Sequence, residues 1–217
     1  MYPRLLDEDE LPPRFAQLLG DCVVRHSLLT DPFLVSGIRA YRTGDNIRDI
    51  HWAATARTQE LQVRTHDHTS QTRLLVLING QLREDQWDGV MNEDQPALER
   101  LISMAATMCV TVLRAGLSAG FGTDLPMGEE HSNTLLLPDA GAAREEELLS
   151  AMARLRMFMS RTFVAFLEEL QDLKGLDIVI LSLYDSEAIR ERMRALELQG
   201  NTVRLYVSDE REVARGA

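Results

Sequence analysis

Two runs of consecutive apolar residues constrain most strongly what this chain can fold into. Leu74-Leu75-Val76-Leu77-Ile78 is apolar without alternation and stops at Asn79-Gly80, and Asp177–Leu183 repeats the pattern late in the chain. A strand apolar on both faces belongs in the middle of a sheet that helices cover on both sides. Helix-length segments supply that cover. Pro96–Ala115 is apolar nearly all round, with Pro96 suited to a first helical turn and Gly116 to a C-terminal stop. Glu145–Phe158 and Thr162–Leu173 are amphipathic, and Ser186–Gln199 is a charged amphipathic helix stopped by Gly200. Short strands are expected at Leu117–Phe121, at Thr134–Leu137 before Pro138, and at Thr202–Val207. This alternation predicts a three-layer α/β domain with a mainly parallel sheet over residues 73–217.

Residues 1–72 read differently, as a small β-rich N-terminal segment. Pro3, Pro12-Pro13 and Pro32 punctuate it. Arg14–Leu19 suits one or two helical turns, while Cys22–His26 and Phe33–Val35 read as short strands. Thr43-Gly44-Asp45-Asn46 is a turn, and Asp45 or Asn46 is placed to cap a short helix over Ile47–Trp52. Ala53–Ala56 would let other backbone approach closely. Glu60–His66 alternates, with Leu61 and Val63 on one face of a half-buried strand.

Charge narrows the function classes. The 217 residues carry a net charge of −11, and an acidic surface repels polyphosphates, which disfavours nucleic acid as partner. The charge is uneven: residues 36–73 are +2, all of the positive charge being arginine, and the remainder is −13. Two cysteines, Cys22 and Cys109, make no disulfide framework and suggest a reducing compartment. No apolar run approaches the roughly 20 residues that span a bilayer. The acidic stretch Asp7–Glu10 replaces the apolar core of a signal peptide.

The stretch Gly37–Arg57 holds an Arg-x-Tyr-x-x-Gly-Asp element, then Arg, Trp and Ala-Arg: Arg39, Tyr41, Gly44, Asp45, Arg48, Trp52, Ala56 and Arg57. This resembles the signature of the bacterial domain of unknown function 58 family (DUF58), which Leu61, Val63 and Asp31-Pro32-Phe33 continue. The resemblance implies a von Willebrand factor A-like body. It also implies a cytoplasmic location, with membrane attachment only through upstream helices that this chain lacks. The implied role is a non-catalytic adaptor or assembly module that works with a MoxR-type AAA+ ATPase, without cofactor.

In such A-like domains an Asp-x-Ser-x-Ser motif after the first strand holds a metal. Here Asn79, Gln81 and Arg83 stand at those positions. They offer two amides and a cation where Mg²⁺ takes hard, partly ionised oxygen ligands, so the resemblance implies a degenerate metal site and no bound metal. Asp124 and Asp185 also follow expected strands and are further candidate carboxylates for such a site, although an Asp at a strand end is more often a helix cap. Two alternatives follow: a metal-dependent, adhesion-type ligand-binding domain, and an enzyme acting on an anionic substrate held by Arg39, Arg42 and Arg48 near His51. Against the enzyme, no nucleophile–base pair is visible. Ser36 and Ser118 lack a nucleophile-elbow spacing, and His66 with His68 leaves a zinc site unfilled. His51 reads as packed or hydrogen-bonded at a core edge, and Cys109 as inert inside an apolar helix. The signature has a scaffold role open to it as well, with Tyr41, Trp52 and Arg57 stapling the N-terminal segment to the body and arginines pairing with Asp45 or Asp49.

Overall fold

The structure is a computed structural model that describes residues 2–28, 35–41, 50–66, 73–84, 86, 94–128 and 134–208. The described elements run, after a 3₁₀ turn at Glu8–Glu10, as α1 (Pro13–Leu28), β1 (Val35–Ala40), α2 (Trp52–Thr58), β2 (Gln62–His66), β3 (Arg73–Ile78) and α3 (Gln95–Arg114). There follow β4 (Ala119–Thr123), β5 (Thr134–Asp139), α4 (Ala142–Ala153), α5 (Phe163–Glu169), β6 (Leu176–Ser182), α6 (Glu187–Leu198) and β7 (Thr202–Val207). The chain divides into two compact units, one of residues 1–25 with 72–217 and one of residues 26–71. The stretch 1–72 that the sequence groups together is thus divided near residue 25.

The larger unit is a mixed α/β body around a five-stranded sheet of order β5-β4-β3-β6-β7. The pairs β3–β4, β3–β6 and β6–β7 are parallel, and β4–β5 is antiparallel. Side chains of β3 alternate between two cores. Leu74, Val76 and Ile78 pack with Phe15 and Leu19 of α1, Leu101, Met104 and Met108 of α3, and Leu148 of α4. Leu75 and Leu77 face Phe163, Phe166 and Leu167 of α5 and Ile189 and Leu196 of α6. This is the three-layer arrangement that unbroken apolar strands require. α3 is long and apolar enough to cross a bilayer by length and composition, but most of it lies inside the fold as its core helix.

Several expected elements shift. Cys22–His26 is not a strand: it continues α1, because Phe15, Leu19 and Cys22 recur at helical spacing and form a buried stripe. The Phe15 ring meets Tyr206 edge-on at 5.4 Å. α4 ends at Ala153, five residues earlier than expected, because the next residues pair with the loop after β4. Leu155 bridges Met127, and Arg156 N donates to Pro126 O at 2.9 Å. Pro138 does not end β5 but lies within it, which an edge strand tolerates. Gly120 is required where β4 meets β5: a Cβ there would lie 2.5 Å from Leu136 O.

In the smaller unit β1 and β2 pair antiparallel, with a register irregularity between Val35 and Gly37. Ile50 bridges Val63, so residue 50 is extended, and the helix expected over Ile47–Trp52 instead runs over Trp52–Thr58. Ala53–Ala56 is therefore helical. Ile47 and its expected caps Asp45 and Asn46 lie outside the described residues, as do Phe33 and Leu34. Val63 is buried whereas Leu61, just before β2, is 45% exposed.

Candidate functional site

The chain crosses from one side of β3 to the other between β5 and β6, so the carboxyl ends of β3 and β6 flank a topological switch point. In open α/β sheets ligands bind there. Three strand ends meet at this place. Asn79 extends the β3 ladder, its N–H donating to Leu181 O at 2.9 Å, and its side chain is fully buried. Its Nδ2 donates to Ser182 Oγ at the end of β6 (3.0 Å), and its Oδ1 accepts from Gln81 N (2.9 Å) in an Asx-type turn. Ser182 Oγ in turn donates to Tyr184 O at 2.6 Å.

Gln81 is 1% exposed and equally engaged. Its Oε1 accepts from Phe163 N, at the start of α5, at 2.8 Å and from Tyr184 Oη at 3.5 Å, and its Nε2 donates to Gln86 O at 2.9 Å. Gln86 closes the loop by accepting from Leu82 N at 2.7 Å. Arg83 joins this loop only through its backbone, its carbonyl accepting from Gln86 N at 3.2 Å, and the residue is exposed.

Asp124 brings the only carboxylate into the strand-end cluster among the described residues. Its Oδ1 accepts from Gly80 N (2.7 Å) and from Thr123 Oγ1 (3.3 Å). Gly80 makes this approach possible, since a Cβ there would lie 2.5 Å from Leu125 and 3.1 Å from Asp124 Oδ1. Asp124 Oδ2 is buried with no hydrogen-bond partner. Burial pushes this carboxyl up to about 6, against its hydrogen bonds and the charge of Arg161. Asp185 is placed otherwise. It forms an ion pair with Arg190, which holds its carboxyl below the ordinary value, and Ser186 caps α6 instead, accepting from Ile189 N at 3.3 Å.

The signature residues lie in the smaller unit and are described only in part. Gly44, Asp45, Arg48, Arg42 and Asp49 lie outside the described residues, as do Asp67 and His68. Arg39 sits on β1 opposite Val63 of β2. Tyr41 N donates to Leu61 O at 2.8 Å. His51 caps α2, its Nδ1 accepting from Ala54 N at 3.0 Å, which engages the nitrogen a general base would need. Trp52 is 66% exposed, and Ala56 and Arg57 are exposed beside it on α2. Cys109 is buried, with its thiol pushed up to about 12, which suppresses the reactive thiolate. No group of three or more His, Cys, Asp or Glu that could hold a metal occurs among the described residues.

Sequence reasoning missed Thr123, Ser182 and Gln86 as members of the strand-end network. A strand-end position was the only available signal for the first two, and none marked Gln86.

No curated protein and no solved structure matches the chain. The family model described as "Protein of unknown function DUF58" matches residues 37–215, which take in the signature stretch, both apolar strands and all three strand ends of the cluster. The chain belongs to the DUF58 family.

Proposed function

We propose that this chain is a non-catalytic protein-interaction or assembly module with a von Willebrand factor A-like body, and that its strand-end crevice is a degenerate metal site. The observation that carries the reading is the internal engagement of Asn79 and Gln81: both side chains are buried, and each bonds to protein groups through both its amide oxygen and its amide nitrogen. Mg²⁺ takes about six oxygens in near-octahedral array, usually with carboxylate charge. Here the Asn79, Gln81, Thr123 and Ser182 oxygens all accept from or donate to protein groups, and Asp124 Oδ2 alone is left over. That donor set does not fit the ion. The same network ties the loop after β3 to α5 and β6, which suits a rigid platform that presents neighbouring loops to a protein.

The resemblance supports a MoxR-type AAA+ ATPase as that protein and a cytoplasmic location behind an upstream membrane anchor. Affinity capture from the native host tests the partner: recovery of such an ATPase is expected, and its absence overturns the assignment. Titration calorimetry with Mg²⁺ and Mn²⁺ tests the site. No saturable binding is expected. Micromolar binding abolished by Asp124→Ala would replace this reading with metal-dependent ligand binding.

A further inference from the structure

The two edges of the five-stranded sheet are built differently. At one edge, β5 carries Pro138, and its register against β4 is irregular between Ala119 and Phe121. Both features discourage a further strand from pairing there. At the other edge, β7 pairs with β6 in unbroken register and contains neither Pro nor Gly. No strand pairs with its outer side among the described residues. Its one charge, Arg204, is engaged within the chain, donating to Asp177 Oδ2 at 2.6 Å. An unguarded strand edge of this kind accepts another strand by backbone hydrogen bonding.

The ground beside β7 points to what that strand is. A groove of about 400 Å³ runs between α6 and β7, with Met193, Leu205 and Val207 as its apolar lining. Its charged lining is balanced, Asp185 and Glu197 against Arg190 and Arg194. A chain of net charge −11 repels its own copy over most approaches, and a face of balanced charge is where two copies can meet. The strand is also self-complementary. Antiparallel pairing about an axis at Leu205 sets Leu205 opposite itself, Val203 opposite Val207 and Arg204 opposite Tyr206. An axis one residue earlier would set Arg204 against itself. Because Ile189 and Leu196 hold α6 over β6 and β7, with Ile178, Ile180 and Val203, the two α6 helices would then lie about 10 Å apart, a normal packing distance.

We propose that two copies of this chain pair through the outer edge of β7, antiparallel about a twofold axis at Leu205, with α6 packed against its counterpart. The contact is isologous and joins the two sheets into one. Met193 lies near the axis, and Glu197 of one copy faces Arg190 of the other. The assignment goes beyond the proposed interaction role and does not depend on it.

Sedimentation velocity of the full chain over a dilution series tests it, and a monomer–dimer equilibrium is expected. Val207→Lys, at an exposed position of the edge, should weaken the dimer at least about tenfold while circular dichroism shows the fold retained. Glu197→Arg should also weaken it, and adding Arg190→Glu to that variant should restore much of the loss. Leu137→Lys, exposed on the guarded β5 edge, should leave it unchanged. A chain that stays monomeric at every concentration, as it would if another segment covered β7, overturns the proposal. So does a dimer that is indifferent to Val207→Lys or that Leu137→Lys dissociates.

Discussion

Asp124 carries a buried carboxyl whose second oxygen has no partner, and this has a signed consequence for stability. A carboxyl raised from 3.8 to about 6 in the fold binds its proton more tightly folded than unfolded. The folded state is therefore favoured by this group below about pH 4, and that advantage is lost as pH rises through about 6. The size is on the order of 3 kcal/mol. Asp124→Asn keeps the acceptor for Gly80 N and removes the charge. Denaturant titrations of parent and variant should diverge between pH 4 and about 7, with the variant gaining relative stability at the upper end; parallel pH profiles would refute this. At Cys109, burial with a thiol near 12 predicts that alkylation of the native chain is slow and accelerates only on unfolding, a rate measurable by mass spectrometry.

Among the elements, α1 shows how a helix is concealed by local composition. Two adjacent valines and a cysteine suggest a strand, yet Phe15, Leu19 and Cys22 lie on one helical stripe against the sheet. Phe15→Ala should cost about 3–5 kcal/mol, since it removes a fully buried ring and leaves a cavity against Tyr206. Denaturant unfolding measures it, and a loss below about 1 kcal/mol would mean that α1 is not docked as described. The β4–β5 edge rests on Gly120, where backbone atoms of Leu136 and Pro138 leave no room for a Cβ. Gly120→Ala should destabilise by about 2 kcal/mol or more by forcing the strands apart. The well-formed elements were legible in advance: β7 occupies its expected residues, and α3 and α6 lie within a residue of theirs. Their periodicity and caps are local signals. The ends of α4 and α2 were not legible, because a bridge to Met127 and a cap from His51 decide them.

For the whole molecule, the net charge of −11 is a constraint on partners. Long-range repulsion from polyphosphates predicts no retention on immobilised DNA at about 0.15 M salt, and retention there would reveal a local basic face strong enough to override the total. At this scale the sequence by itself determined the layer architecture: apolar runs without alternation need helices on both faces, and the helical segments between them supply that cover. It also carried the family signature, whose residues are contiguous enough to be read in order. The strand-end network belongs to the tertiary structure alone. Asn79 and Ser182 are 103 residues apart and meet because β3 pairs in parallel with β6 at Ile78 and Leu181. Gly80 and Asp124 meet because β3 and β4 end level, with Ile78 opposite Thr123. Sheet register is a long-range choice made by packing two cores at once, and no pattern along the chain records which strand ends it brings together.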